Sequence, residues 1–399
     1  MAQQPIVYDI TKDLVDQLVG LTPGSQTFDV RHKRDKVAAA TQGSYDALFD
    51  PALPGLSLAD RLLVALYATR ITPSPLLAAH YRARAVEAGA AAADIAVAES
   101  GKPADATNPQ LAAVLEFTRK LIEKPVEGDE AALKTLPAAG VSTPAVVTLS
   151  QLIAFLSYQT RLVAGLVAMK AAEGAEAGAG AGVDAGAGST AADATAVINP
   201  GNTEPGDVIK AHGFTNEVLE WKAWLDVVNV DTATPEQIAV LEESHPKAKV
   251  SDYYLFLVHQ PEILRQRSTA FNAIMYAPGG MSRAERELGA TVVSRVNGCV
   301  YCASVHAQRF EQLAKRNDVI GQVFENPITA GTTKREQAIG KFSIQITEAQ
   351  ADVNAASIQA LKDVGLNDGE ILDLLHSDAI FAWANRLMLN LGEPVLVTV

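Results

Sequence analysis

The sequence predicts an all-α chain of two tandem helical domains, and three observations carry that reading. Apolar residues recur at helical spacing in runs bounded by Pro and Gly. No stretch offers a convincing set of alternating strands. The second half also repeats the first at a constant, ungapped offset, set by Arg70 and Arg295 (295 − 70 = 225). That offset pairs Ser57 with Ser282, Ala59 with Ala284, Asp60 with Glu285 and Arg61 with Arg286. It continues through Leu63 and Leu288, Phe117 and Phe342, Leu136 and Leu361, Gly140 and Gly365, and Arg161 and Arg386. Such a register held from Ser57 to Arg161 reads as an internal duplication of one helical unit.

In chain order, residues 5–55 read as short helices, with 32–50 weakly amphipathic and closed by Pro51, Pro54 and Gly55. Residues 56–72 form a strong helix with Leu58, Leu62 and Leu66 on one side, and 76–89 continue after Pro73 and Pro75. Helices follow over 110–124 and 148–169. The latter is the most apolar window, but Gln151, Gln159 and Arg161 mark it as a buried core helix and not a membrane span. Residues 171–204 are rich in Ala and Gly, lack large apolar side chains and read as a flexible linker. This divides the chain into a helical domain at 1–170, the linker, and a second helical domain at 205–399. In the second, helices are expected at 214–228, 234–247, 251–280, 322–349, 356–365 and 371–392.

A net charge of −13 gives the chain no electrostatic reason to bind nucleic acid or an anionic membrane. MAQQPIVYDITKDL carries acids and no long apolar run, so no secretory signal is expected. With two cysteines spaced three apart, a cytoplasmic location follows as the expectation, where Cys-x-x-Cys usually marks redox or metal chemistry.

The chemistry concentrates in residues 282–306. Cys299, Cys302 and His306 fall at i, i+3 and i+7 and share one helix face. Asn297-Gly298 is a helix stop, so Cys299 opens a new helix whose N-terminus would favour a thiolate. Glu287 lies upstream by about the distance that His306 lies downstream of that turn. In an antiparallel helix pair the two would meet, giving a nucleophile, a base and a group that orients the base. At the repeat offset Glu287 faces Leu62, Cys299 faces Ser74, Cys302 faces Leu77 and His306 faces Tyr81, so the first half has none of the four. Leucine at the matched positions places Glu287 and Cys302 inward, where a carboxylate needs a partner. A structural zinc site wants four ligands and only three are on hand, so no metal or cofactor is expected. His259, His376, Trp383, Asn385 and Arg386 read as structural.

Glu287, Cys299, Cys302 and His306, as Glu-x11-Cys-x2-Cys-x3-His, resemble the AhpD-like alkylhydroperoxidase family of the carboxymuconolactone decarboxylase (CMD) superfamily. SRVNGCVYCASVHAQRF (294–310) and FAWANRLMLNLG (381–392) resemble its peroxidase-related branch. GSYDALFDP (43–51) and SLADRLLVAL (57–66) resemble CMD-domain proteins lacking the thiols. The resemblance implies a thiol peroxidase acting on small hydroperoxides. Cys302 would attack the peroxide, Cys299 would resolve the sulfenic acid to a disulfide, and Glu287 with His306 would relay the proton. An external thiol reductant would reopen the disulfide. Tyr301 stands where well-studied members often have histidine. Homo-oligomers in the family imply a pseudo-dimeric chain that self-associates. The competing classes are a decarboxylase-like lyase, which needs no dithiol, and a non-enzymatic redox-sensing or interaction protein.

Overall fold

The computed structural model describes residues 8–179 and 205–397. The first run comprises α1 (Leu14–Val19), α2 (Gln26–His32), α3 (Asp35–Leu48), α4 (Leu58–Ile71), α5 (Pro75–Glu87), α6 (Ala92–Ser100), α7 (Pro109–Glu123), α8 (Glu130–Ala138) and α9 (Thr143–Ala179). The second opens with β1 (Lys210–Ala211), β2 (Phe214–Thr215) and β3 (Leu219–Ala223). It continues as α10 (Pro235–Ser244), α11 (Asp252–Leu257), α12 (Pro261–Met275), α13 (Arg283–Val296), α14 (Val300–Ala314) and α15 (Asp318–Glu325). It ends with α16 (Lys334–Glu348), α17 (Ala355–Lys362), α18 (Asp368–Asn390) and β4 (Gly392–Leu396). The fold is all-α, with the strands confined to two small antiparallel pairs, β1–β2 and β3–β4.

Local sequence explains where the helices start. Ser57 and Ser282 accept N–H bonds at the N-termini of α4 and α13. Asn108 and Thr333 do so for α7 and α16, and Asp129 and Asn354 for α8 and α17. Each pair of caps is related by the repeat offset. The same offset carries the first residues of α4, α5, α7, α8 and α9 onto those of α13, α14, α16, α17 and α18.

The core sits where α9 packs along α18, with α3 against α12 beside it. By length and composition α9 could cross a membrane, yet 89% of its apolar window is buried inside the protein. Polar groups tie this seam as well. Trp383 Nε1 donates to Gln151 Oε1 (2.8 Å). The Trp383 ring lies 5.8 Å from that of Tyr158, its counterpart at the 225-residue offset. Arg34 forks onto Asp373 (Nε to Oδ1 2.8 Å, Nη2 to Oδ2 2.7 Å), and Arg286 Nη2 reaches the same Oδ2 at 2.9 Å.

Four expectations need correction. The helices expected at 251–280 and 322–349 are each two helices, interrupted before Pro261 between α11 and α12 and over residues 326–333, which contain Pro327 and Gly331, between α15 and α16. Residues 214–228 are not a helix. Leu219 and Trp221 point inward and Glu220 and Lys222 outward, a strand alternation in β3, whose partner β4 lies at the far end of the chain. The stretch from 171 continues α9 as far as Ala179, because alanine is a strong helix former. Glu173 in it is anchored, accepting from the backbone N–H groups of Gln26 (2.8 Å) and Thr27 (3.1 Å) at the start of α2. The rest of the expected linker, 180–204, lies outside the described residues. Finally, α6 and α8 are short helices that the apolar pattern did not single out.

Gly165 in α9 approaches Leu375 in α18 so closely that a Cβ would overlap both leucine methyls, and Leu375 is fully buried. Gly165→Val should therefore destabilise the chain by about 1–3 kcal/mol through overpacking. Equilibrium urea unfolding measures this, and an unchanged midpoint would show that the seam is not tightly packed.

Candidate active site

Helices α13 and α14 run antiparallel about the turn Asn297-Gly298-Cys299. Asn297 closes α13, and Gly298 takes φ +78°, a conformation in which a side chain is strained. Cys299 is the N-cap of α14, and its N–H donates back to Ser294 O at 2.8 Å. Both cysteines are free and buried, Cys299 1% and Cys302 4% exposed.

The turn brings Glu287 and His306 together. His306 Nδ1 lies 2.5 Å from Glu287 Oε2, and Arg283, one turn earlier on α13, donates from Nε to Oε1 at 3.2 Å. Burial raises the Glu287 carboxyl, but His306 and Arg283 more than reverse this, so it lies below the ordinary carboxylate range. With Nδ1 engaged, Nε2 is the ring nitrogen open to a reacting group. The His306 ring is fixed edge-on to Phe381, centroids 4.3 Å apart. His306 keeps 13% of its side chain exposed and is the outermost of the four motif residues. It sits one turn beyond Cys302 on α14, and among the described residues no hydrogen bond joins it to either thiol.

The thiolate expected at Cys299 is not favoured. Burial first, and then the adjacent Cys302 sulfur, push the Cys299 thiol well above its ordinary value despite its place at a helix N-terminus. Asn385, whose Nδ2 donates to Ser294 Oγ and whose Oδ1 accepts from Asn297 (both 3.0 Å), also contacts the Cys299 thiol.

Tyr253 on α11 was not anticipated. It is buried, its hydroxyl has no hydrogen-bond partner, and it interacts electrostatically with Cys302 and Tyr301. The repeat offset carried the signal: Tyr253 stands opposite Phe28, so this hydroxyl also belongs to the second half alone. In the first half the matched positions are filled by Leu62, Leu77 and Tyr81, all fully buried, with the Tyr81 hydroxyl donating to Gln159 Oε1 at 2.5 Å. His376 is a core residue whose imidazole burial pushes down to about 3, and His259 Nε2 lies 3.0 Å from the carbonyl of Asp226.

A carboxyl held below its unfolded value contributes stability that is complete above the ordinary carboxylate pKa. That contribution is lost as the pH falls through the folded value. Between about pH 5 and 3 the wild type should thus lose stability more steeply than Glu287→Gln. Parallel curves of unfolding midpoint against pH would contradict an ionised, paired Glu287.

No curated protein sequence matches the chain. Among solved structures it is similar to one described as an alkylhydroperoxidase AhpD core, an uncharacterized peroxidase-related protein from Ralstonia eutropha. The identity is 27%, covering 41% of this chain and 86% of that one, with a TM-score of 0.37. Residues 261–342 match the carboxymuconolactone decarboxylase family. That segment runs from the start of α12 into α16 and contains Glu287, Cys299, Cys302 and His306, so the part of the chain that carries the motif is similar to the carboxymuconolactone decarboxylase family.

Proposed function

We propose that this protein is a thiol peroxidase that reduces alkyl hydroperoxides. The observation that carries the reading is the 2.5 Å contact of His306 with a buried carboxylate, one helical turn from a free vicinal dithiol. A buried acid is costly unless its charge is used or paired. Here it orients a base toward the helix face that carries Cys302.

Cys302 is the attacking thiol in this reading. Cys299 is held as the neutral thiol by burial and by its neighbour, which suits a group kept in reserve. His306 Nε2 takes the Cys302 proton, and Glu287 stabilises the imidazolium. The thiolate attacks the terminal oxygen of ROOH, the O–O bond breaks, and the imidazolium returns the proton to the departing alkoxide as ROH. Cys299 then displaces water from the Cys302 sulfenic acid and closes the disulfide. Two electrons pass from the dithiol to the peroxide, and an external thiol reductant restores them. The Tyr253 hydroxyl is suited to donate to the peroxide oxygen or to the sulfenic acid beside Cys302.

The first half is read as a degenerate copy of the same unit, kept for the surface it provides, and 180–204 as part of the linker between the two. The acidic chain, without nucleic acid or membrane among its expected partners, is assigned to the cytoplasm, where self-association of the pseudo-dimer remains part of the proposal.

One equivalent of an alkyl hydroperoxide should convert both thiols to a Cys299–Cys302 disulfide, read by mass spectrometry of peptides. Cys302→Ala should abolish turnover, and persistent activity in that variant would point instead to lyase-type chemistry. Stable sulfonic acid at Cys302 with no disulfide would remove Cys299 from its resolving role. Glu287→Gln should slow peroxide reduction by about 10² to 10⁴. Tyr253→Phe should slow it by about 10² with both thiols still titratable, and an unchanged rate would exclude the hydroxyl from the reaction.

A further inference from the structure

A second feature lies at the Asn297-Gly298 turn. A cavity of about 590 Å³ opens there between the halves, within the range of small-molecule sites. Its walls are built from positions paired by the repeat: Thr72 and Asn297, Ile122 and Thr347, Arg161 and Arg386. The two arginines are 4% and 2% exposed. They are tied by a reciprocal exchange: Arg161 Nη2 donates to Thr347 O (2.6 Å) and Arg386 Nη2 to Ile122 O (3.2 Å), each in the last turn of a helix from the other half. Each Nη1 returns to its own helix, at Ser157 O and Ala382 O (both 2.9 Å), and each Nε has no partner.

Carbonyl groups alone hold these charges. Among the described residues neither arginine forms an ion pair. Burial pushes Arg161 down to about 10 and holds Arg386 well below the usual guanidinium range, with the like charge of Arg161 adding to the effect there. The rim glutamates do not serve: Glu123 is exposed and held by Arg119 at 2.9 Å, and Glu348 is exposed. A third guanidinium, that of Arg295, lines the same cavity, with its Nε on Phe324 O at 3.0 Å and its central carbon 4.5 Å from the centre of the Phe214 ring. Two desolvated like charges side by side are costly without a counter-charge. Helix C-termini offset part of that cost, and a guanidinium pair in a cavity matches the geometry of an oxyanion.

We propose that this cavity is a binding site for a small oxyanion, a carboxylate- or phosphate-bearing molecule seated against Arg161, Arg386 and Arg295. None of the four motif residues lines it, and it meets the dithiol turn only at Asn297 and Gly298.

The test is calorimetric titration of the full chain with inorganic phosphate and with succinate, against potassium chloride at matched ionic strength. Saturable binding of either oxyanion at one site per chain, absent with chloride, is the expected result. Phosphate alone or succinate alone would identify which oxyanion chemistry the cavity takes. Arg295→Gln leaves both cross-half arginine contacts intact and should weaken binding at least about tenfold. Arg386→Met should remove it in a chain that still melts cooperatively. If that variant does not fold, the wild type and Arg295→Gln decide the matter. No saturable binding, an equal response to chloride, or undiminished affinity in Arg295→Gln would overturn the site.

Discussion

The seam between α9 and α18 is the constraint on which the rest of this structure depends. Both helices are apolar around most of their circumference, and such a helix is stable in water only when surrounded. Residues 371–387 of α18 are buried without a break. The two helices meet this demand by packing on each other, with α4, α13 and their neighbours closing the remaining sides. The polar residues within them are then drawn into fixed pairings. Trp383 finds Gln151, Asp373 gathers Arg34 and Arg286, and Arg161 and Arg386 cap helices across the divide. Each of these clusters spans both halves, because a polar side chain on the seam meets partners from the opposite side.

The same packing determines what the dithiol turn can be. α13 is held between α14, α16 and α18, so a side chain on its inner face has no route to solvent. In the first half that position is Leu62 and the problem does not arise. In the second it is Glu287, whose charge is retained because His306 and Arg283 stand within hydrogen-bond distance. Pairing, not exposure, is what keeps this carboxylate ionised. At matched positions of α4 and α13 the two halves thus carry either an apolar core contact or a paired carboxylate, with the difference residing in a few side chains.

The position of the cysteines shows two physical effects in opposition. A helix N-terminus favours negative charge by a few tenths to about 1 kcal/mol at an exposed site. Withdrawal of a thiol from water, beside a second sulfur, acts the other way and dominates at Cys299. The first effect can be read from Asn297-Gly298 and the residue after it. The second depends on how much protein covers the turn, which includes Asn385 from α18, far along the chain.

Much of this protein was written in the chain itself. Helix periodicity, Ser, Thr, Asn and Asp caps, and Pro and Gly stops are local features with local energetics, so most of the helices and their boundaries follow from them. The meeting of Glu287 with His306 was also legible, because a tight turn between antiparallel helices fixes which residues face one another. Only tertiary structure decided β3, whose partner β4 follows the last helix and whose own alternation is too short to compete with a helical reading. It alone decided the upward shift of the Cys299 thiol, the burial of the Tyr253 hydroxyl without a partner, and the burial of Arg161 beside Arg386. The reason is common to all four. Strand pairing, desolvation and unpartnered polar groups are set by what comes to lie against a residue from elsewhere in the chain, and no property of its own neighbours in sequence encodes that.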